Sequence, residues 1–413
     1  MVKGIISDPQ LKKYAELAVR AGVNLQKDQL LIIHSDIQHA GFARLIQTAA
    51  YEAGASNVVI DWKDEQSSKE FYIHIHAADR FIDHIPDWQA ARFKEWNDEG
   101  AAYIHIISDN VLEDVFAERI QRFQKASRTK LKDYYSKVRS HKVRWCLIAV
   151  PCVDWAAKVF PNLSKEEALQ SLWELIVSGA RADGESPIDD WREHHRAFES
   201  RKKFLNESRF EALHFTNKRG TDLVVGLAKN HLFIGGAVTD EQGIPFFPNI
   251  PTEEIFTAPH KNRVNGKLVG TKPLIYGGNI IEDFHLIFTE GRITDYYAAN
   301  GQEALQHLIE TDEGSHYLGE IALVSTKVPL AQANTLFYKT LFDENTACHI
   351  GIGDASPSTI IDGLHKSEHE LKDAGLNSSL LSVNVTFGAD DMNVVGVKEG
   401  REIPVMEGGK FNF

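Results

Sequence analysis

Four short apolar runs, separated by helical patterns, constrain the first 150 residues more than any other feature. They are "QLLIIHS" (29–35), "NVVIDW" (57–62), "AAYIHII" (101–107) and "KVRWCLIAV" (142–150). Each has the length of a strand and little polar alternation, which is the pattern of a strand covered on both faces. Between them, Leu11, Tyr14, Ala15, Leu17, Ala18 and Ala21 recur at helical spacing and stop at Gly22. Residues 39–54 repeat that pattern and stop at Gly54. Strand–helix alternation of this kind predicts an α/β domain with a mostly parallel sheet.

The pattern changes twice further on. Residues 154–208 read as helices with polar faces, and Ser164 stands three residues before Glu167 as in a capping box. From about 209, short alternating strands are broken by glycine turns, with one clear helix at 301–314. The expected organisation is therefore an N-terminal α/β domain with a helical extension, 1–208, and a mixed α+β domain, 209–413.

Composition narrows the function classes. The formal charge is −13 and no long Lys/Arg run exists, which argues against nucleic acid and anionic membranes as partners. No apolar run approaches the ~18 residues of a membrane-spanning helix. The three cysteines, Cys146, Cys152 and Cys348, are too few for a disulfide scaffold. The opening "MVKGIISDPQ" turns polar after Ile6, unlike a secretory signal, so a cytoplasmic location is expected. "GIGDASP" lacks the Lys of a phosphate loop and the third Gly of a dinucleotide fingerprint.

Three stretches place isolated charges in apolar surroundings. "PNIPTEEIFTAP" carries Glu253 and Glu254, "HYLGEIALV" carries Glu320, and "FDENTACHIGIG" carries His349 at the head of an apolar strand. A lone charged group in such a run is costly unless it is paired or bound to a cation. Two carboxylates and a neutral imidazole suit Zn²⁺, Mn²⁺, Fe²⁺ or Co²⁺. The competing structural reading pairs Glu320 with a Lys or Arg and His349 with a backbone carbonyl. His74 and His76 of "YIHIH" read as ordinary packing or surface residues, and His194 and His195 as part of a solvated helical face.

The same stretches, with "GTKPLIYGGNIIEDF", "DWAAKVFPN" and "GTDLVVGL", resemble the metalloaminopeptidases of the aminopeptidase T, aminopeptidase S and PepS type along essentially the whole chain. The resemblance implies a C-terminal metallopeptidase-like domain, a homodimer, short peptide substrates and a two-metal site. It places metal ligands at Glu254, Glu320 and His349, beside which Glu253 is the candidate general base or outer partner. Three further ligand positions carry other residues. Ser356 stands for a tyrosine seven residues after His349, Ser382 for a histidine and Asn384 for an aspartate. Asp354, His365 and His369 are the nearest side chains that could compensate.

The expectation is then a metal-dependent hydrolase with one divalent ion per subunit at Glu254, Glu320 and His349. The alternatives are a repurposed metalloenzyme acting on a small amino-acid-like metabolite, and a non-catalytic paralogue. The scaffold is also similar to that of the dihydroxypyridine dioxygenases, which bind a single iron.

Overall fold

The computed structural model describes residues 8–64, 67, 81–108 and 117–413. Contacts divide the chain into two compact units, Met1–His194 with Ala237–Pro251, and His195–Gly236 with Thr252–Phe413. The division differs from a single cut after Ser208. The chain passes from one unit to the other within the helix Pro187–Ser208. The segment 237–251 returns to the first unit because Asn249–Ile250 pairs in parallel with Leu147–Ile148. The Leu147 amide donates to the Pro248 carbonyl at 2.8 Å.

The first unit is built on a parallel sheet in the order Asn57–Lys63, Leu30–Asp36, Ala102–Ile107, Trp145–Ala149, Asn249–Ile250. Every residue of Leu30–Asp36 is buried, as the uninterrupted apolar run requires. Helices Asp8–Leu17, Ala40–Glu52, Val153–Val159 and Lys165–Gly179 belong to this unit. The Lys165 helix begins with the expected box: the Glu167 amide donates to Ser164 Oγ, and the Ser164 amide donates back to the Glu167 carboxylate. Among the described residues no helix is long and apolar enough to cross a membrane.

The second unit holds two antiparallel systems. A nine-stranded sheet includes Ala212–Thr216, Asp222–Leu227, Pro259–Val269, Asn279–Thr289 and Asn393–Lys398. A four-stranded sheet runs in the order Ile255–Thr257, Leu318–Leu323, His349–Gly353, Ser382–Thr386. Ile321, Ile350, Ile352 and Val385 point from this smaller sheet into the unit's main apolar core. Side chains alternate along a strand, so the neighbours of these residues occupy the opposite face. The functional side chains lie there.

Candidate metal centre

His349 opens its strand and is fully buried. Its register partner on the Leu318–Leu323 strand is Ala322, and Gly351 faces Glu320 two residues on. Strict alternation from Ala322 puts Glu320 on the face of His349. A bulge between Leu318 and Glu320 absorbs one residue, so Leu318, paired with Ile352, turns into the apolar core while Glu320 keeps the opposite face. Gly319 fits the bulge because a Cβ there would lie 2.1 Å from the Asp354 carbonyl. Gly351 is constrained in a similar way. A Cβ at that position would come within 2.9 Å of the Glu320 Cβ and 3.4 Å of Asn384 Oδ1.

Glu254 enters from the residue just before the Ile255–Thr257 strand. The preceding Glu253 amide donates to Asn345 Oδ1 at 2.5 Å, and Asn345 Nδ2 donates to the Leu341 carbonyl at 2.8 Å. A buried asparagine thus ties the Glu254 segment to the short helix Thr340–Asp343.

The result is one group of three potential ligands among the described residues, Glu254, Glu320 and His349, whose ligand atoms lie within 4.8 Å of one another. His349 Nε2 stands 3.2 Å from Glu254 Oε2 and 3.4 Å from Glu320 Oε1. These separations are about the edge length of a tetrahedral shell with ligand bonds of ~2.1 Å. His349 Nδ1 lies 3.2 Å from the Ala347 carbonyl. With Nδ1 donating there, Nε2 presents a lone pair to the two carboxylates. Despite the short approach, neither His349 Nε2 nor Glu254 Oε2 makes a hydrogen bond of acceptable geometry, and both atoms are buried. Three acceptors converging on one buried point need a cation between them.

The protonation tendencies agree. Burial pushes the Glu254 carboxyl up, His349 opposes the rise, and the Glu320 charge adds to it. Burial alone would lower His349, yet Glu254 and Glu320 outweigh it and hold the imidazole well above its ordinary value. Both directions follow from two carboxylates and an imidazole crowded together away from water. The donor set and the converging, unpartnered atoms therefore fit a divalent ion.

A third acidic residue, missed in the sequence, belongs here. Glu344 interacts electrostatically with Glu254, His349 and Glu320, and burial with the Glu254 charge raises its carboxyl well above the usual range. Asn384 Nδ2 donates to Glu344 Oε2 at 3.4 Å. The available signal was position, since Glu344 stands five residues before His349 within "FDENTACH".

The remaining sequence candidates separate. Half of the structural reading of His349 holds, since its ring does face a backbone carbonyl, but Glu320 has His349 beside it in place of a Lys or Arg. Glu253 is buried and lies outside the group of three. Asn384 and Ser382 pair with Gly351 and Gly353 and so share the face of His349 and Glu320. Ser356 Oγ is 2.7 Å from Ser358 Oγ, three residues beyond the strand. None of the three possible substitutes joins the cluster. Asp354 accepts from the Ser379 amide at 3.2 Å, His365 is exposed, and the exposed His369 pairs with Asp373 at 3.0 Å.

His194 is not on a solvated face. It is 8% exposed and its ring packs 5.3 Å from that of buried Trp191, because a three-residue spacing puts both on one helical face. His195 stays partly exposed, 3.8 Å from Glu199. His74 and His76 lie outside the described residues.

The family described as Thermophilic metalloprotease (M29) matches residues 7–411. This chain belongs to the M29 metalloproteases. It is 41% identical to "Aminopeptidase AmpS" of Bacillus subtilis (strain 168), over 98% of both chains. In three dimensions it is similar to wild-type AmpT from Thermus thermophilus, with a TM-score of 0.88, 36% identity, and coverage of 98% of this chain and 99% of that one. The 2,5-dihydroxypyridine dioxygenase of Pseudomonas putida KT2440 shares the fold alone, at a TM-score of 0.52 and 11% identity. The expected metallo-aminopeptidase-like hydrolase, with its α/β domain followed by a mixed domain, stands, and membership of this family implies a divalent metal ion.

Proposed function

We propose that this M29 protein is a metal-dependent aminopeptidase that removes N-terminal residues from short peptides using one divalent ion per subunit. The observation that carries the reading is the convergence of His349 Nε2 and the Glu254 and Glu320 carboxylates on a buried point that no Lys or Arg among the described residues neutralises. A divalent ion held there supplies Lewis acidity for the scissile carbonyl and acidifies a water molecule.

The chain's own residues do the rest. His349 is held in one tautomer by the Ala347 carbonyl, so its coordinating nitrogen is preorganised. Glu344, which accepts from Asn384 beside the same residues, would take a proton from the attacking water and pass it to the leaving amine once a bound cation offsets the burial and the Glu254 charge that raise its carboxyl. Glu253 is the second residue suited to that role, and its backbone is fixed by Asn345. Ser382 and Asn384 offer a hydroxyl and a neutral amide on the same face, a weaker donor set than a histidine and a carboxylate, which favours one ion over two. The reading includes a homodimer in a reducing cytoplasm, where the three free and buried cysteines are stable.

Metal analysis of the purified protein, with turnover of a leucyl chromogenic substrate, tests the reading. One ion per subunit with turnover is expected. Two ions overturn the one-ion site. One ion without peptidase turnover favours the second reading, a repurposed enzyme for a small amino-acid-like metabolite, which the residues at Ser356, Ser382 and Asn384 motivate.

A further inference from the structure

The strand Ser382–Thr386 lies at the end of the four-stranded sheet, beside the cluster, and among the described residues has a strand neighbour on one side only. The direction of its backbone groups follows from its hydrogen bonds. The Asp354 amide donates to the Leu381 carbonyl at 2.8 Å, and the Phe387 amide donates to the Cys348 carbonyl at 3.1 Å. Odd-numbered residues therefore bond inward, and the N–H and C=O groups of Ser382, Asn384 and Thr386 point outward. At one end the edge is closed, because the Thr271 amide donates to the Thr386 carbonyl at 3.1 Å. Among the described residues, no hydrogen bond reaches the outward backbone groups of Ser382 or Asn384.

We propose that this open window is the docking edge for the downstream part of an extended peptide substrate, which adds to the sheet as a short fifth strand. The inference rests on the peptidase reading and deepens it. Four observations favour a peptide over a second copy of the chain. The window offers the outward groups of two consecutive positions of that kind before Thr271 closes it, which is short for a strand pairing between subunits. The side chains of the same two residues lie on the face that carries His349 and Glu320. Gly351 has no side chain to stand between Glu320 and Asn384. Cluster and edge are also separated by a peptide-sized step. From Glu320 across Gly351 to Asn384 are two strand spacings, about 10 Å, which an extended peptide covers in about three residues. A peptide whose first bond lies at the cluster would thus meet the edge from its third residue onward.

Backbone pairing of an added strand has a signature that a general preference for longer peptides lacks. Alternate amides face the edge and the intervening ones face away. The probe is a pentapeptide whose first amide is reduced to an amine, so that it binds without being cleaved. Its affinity for the metal-loaded protein is measured by calorimetry, beside that of the corresponding dipeptide and of versions N-methylated singly at residues three, four and five. The pentapeptide is expected to bind more tightly than the dipeptide, and methylation is expected to weaken it in alternation, by about 3- to 10-fold at edge-facing positions and negligibly at the others. Equal affinities for dipeptide and pentapeptide, or a response flat across the three positions, overturn the proposal, including the case in which a second copy covers the edge. Cleavage of the unmodified pentapeptide is followed separately. Alternation without cleavage retains the docking edge and overturns the peptidase reading, whereas cleavage without alternation does the reverse.

Discussion

Each unit buries a histidine against carboxylate, and the two arrangements solve the same electrostatic problem differently. In the first unit, His34 Nδ1 lies 3.1 Å from Asp61 Oδ2, and Arg92 grips the same carboxylate with two hydrogen bonds of 3.0 Å. The cation is built in, and the histidine is free to stay neutral. Burial holds His34 below its ordinary value despite the pull of Asp61, and its ring stacks 4.7 Å from that of His105. In the second unit, two carboxylates face His349 and no guanidinium or ammonium accompanies them among the described residues. The same polar materials make a closed structural network in one place and a site that needs a ligand in the other. A buried histidine beside a carboxylate therefore carries little functional meaning until the charges around it are counted.

The sharpest way to break this contrast is to remove the ligand on one side. His349→Ala should lower metal affinity by more than about 100-fold, the upper range for losing an outer partner of a metal ligand, and should abolish peptide hydrolysis. Calorimetric metal titration and leucyl-substrate turnover check both. Arg92→Met should leave metal content unchanged. It should destabilise the protein by about 2–3 kcal/mol, below the 3–5 kcal/mol of a fully buried pair, because Arg92 is 33% exposed. Denaturant unfolding with a parallel metal assay separates the two effects. A variant that lost metal as well would show that the units are not independent in this respect.

Gly351→Ala tests whether the cluster needs the space beside Glu320. The new methyl must displace the Glu320 stem, and metal affinity should fall about 10-fold, the lower range for disturbing a ligand's support, while unfolding stability changes less than in Arg92→Met. Unchanged metal affinity would show that Glu320 adjusts freely.

The smallest expected effect is a difference in the sign of the pH dependence. In metal-free protein, His349 has a folded value above its unfolded one, so its contribution is complete at low pH and is lost as pH rises through the folded value. His34 has a folded value below its unfolded one, so the unfolded chain binds the extra proton and stability is lost as pH falls below about 6.5. Saturating metal should remove the first slope and leave the second. Unfolding of metal-free and metal-loaded protein between about pH 5 and 8 reads both, and a metal-independent profile would contradict the assignment of His349.

Much of the site was legible because burial leaves marks in a sequence. Glu254, Glu320 and His349 stood out as charges in apolar runs, and their spacing within family-like stretches made them ligand candidates. Glu344 escaped because it sits beside Asp343 in a short polar segment, without the apolar surroundings that marked the other three. Only the fold brings it to Asn384, whose amide donates to its carboxylate beside the cluster. His194 was misplaced because neighbouring charges suggested solvent, whereas the packing of Trp191 decides that face.

By itself the sequence determined the class of each half through local apolar pattern, and marked the stretches holding Glu253, Glu254, Glu320 and His349 as charges in apolar runs. The choice of Glu254, Glu320 and His349 as ligands came from resemblance to a family in those same stretches. Only the tertiary structure decided which side chains share a face. That depends on register, and register turns on single residues far apart in the chain. The pairing of Ala322 with His349 sets Glu320 on the face of His349, the bulge at Gly319 returns Leu318 to the core, and the pairing of His349–Gly353 with Ser382–Thr386 sets Asn384 beside the cluster and, among the described residues, leaves one strand edge open. A slip of one residue at either strand would send the same side chains into the apolar core.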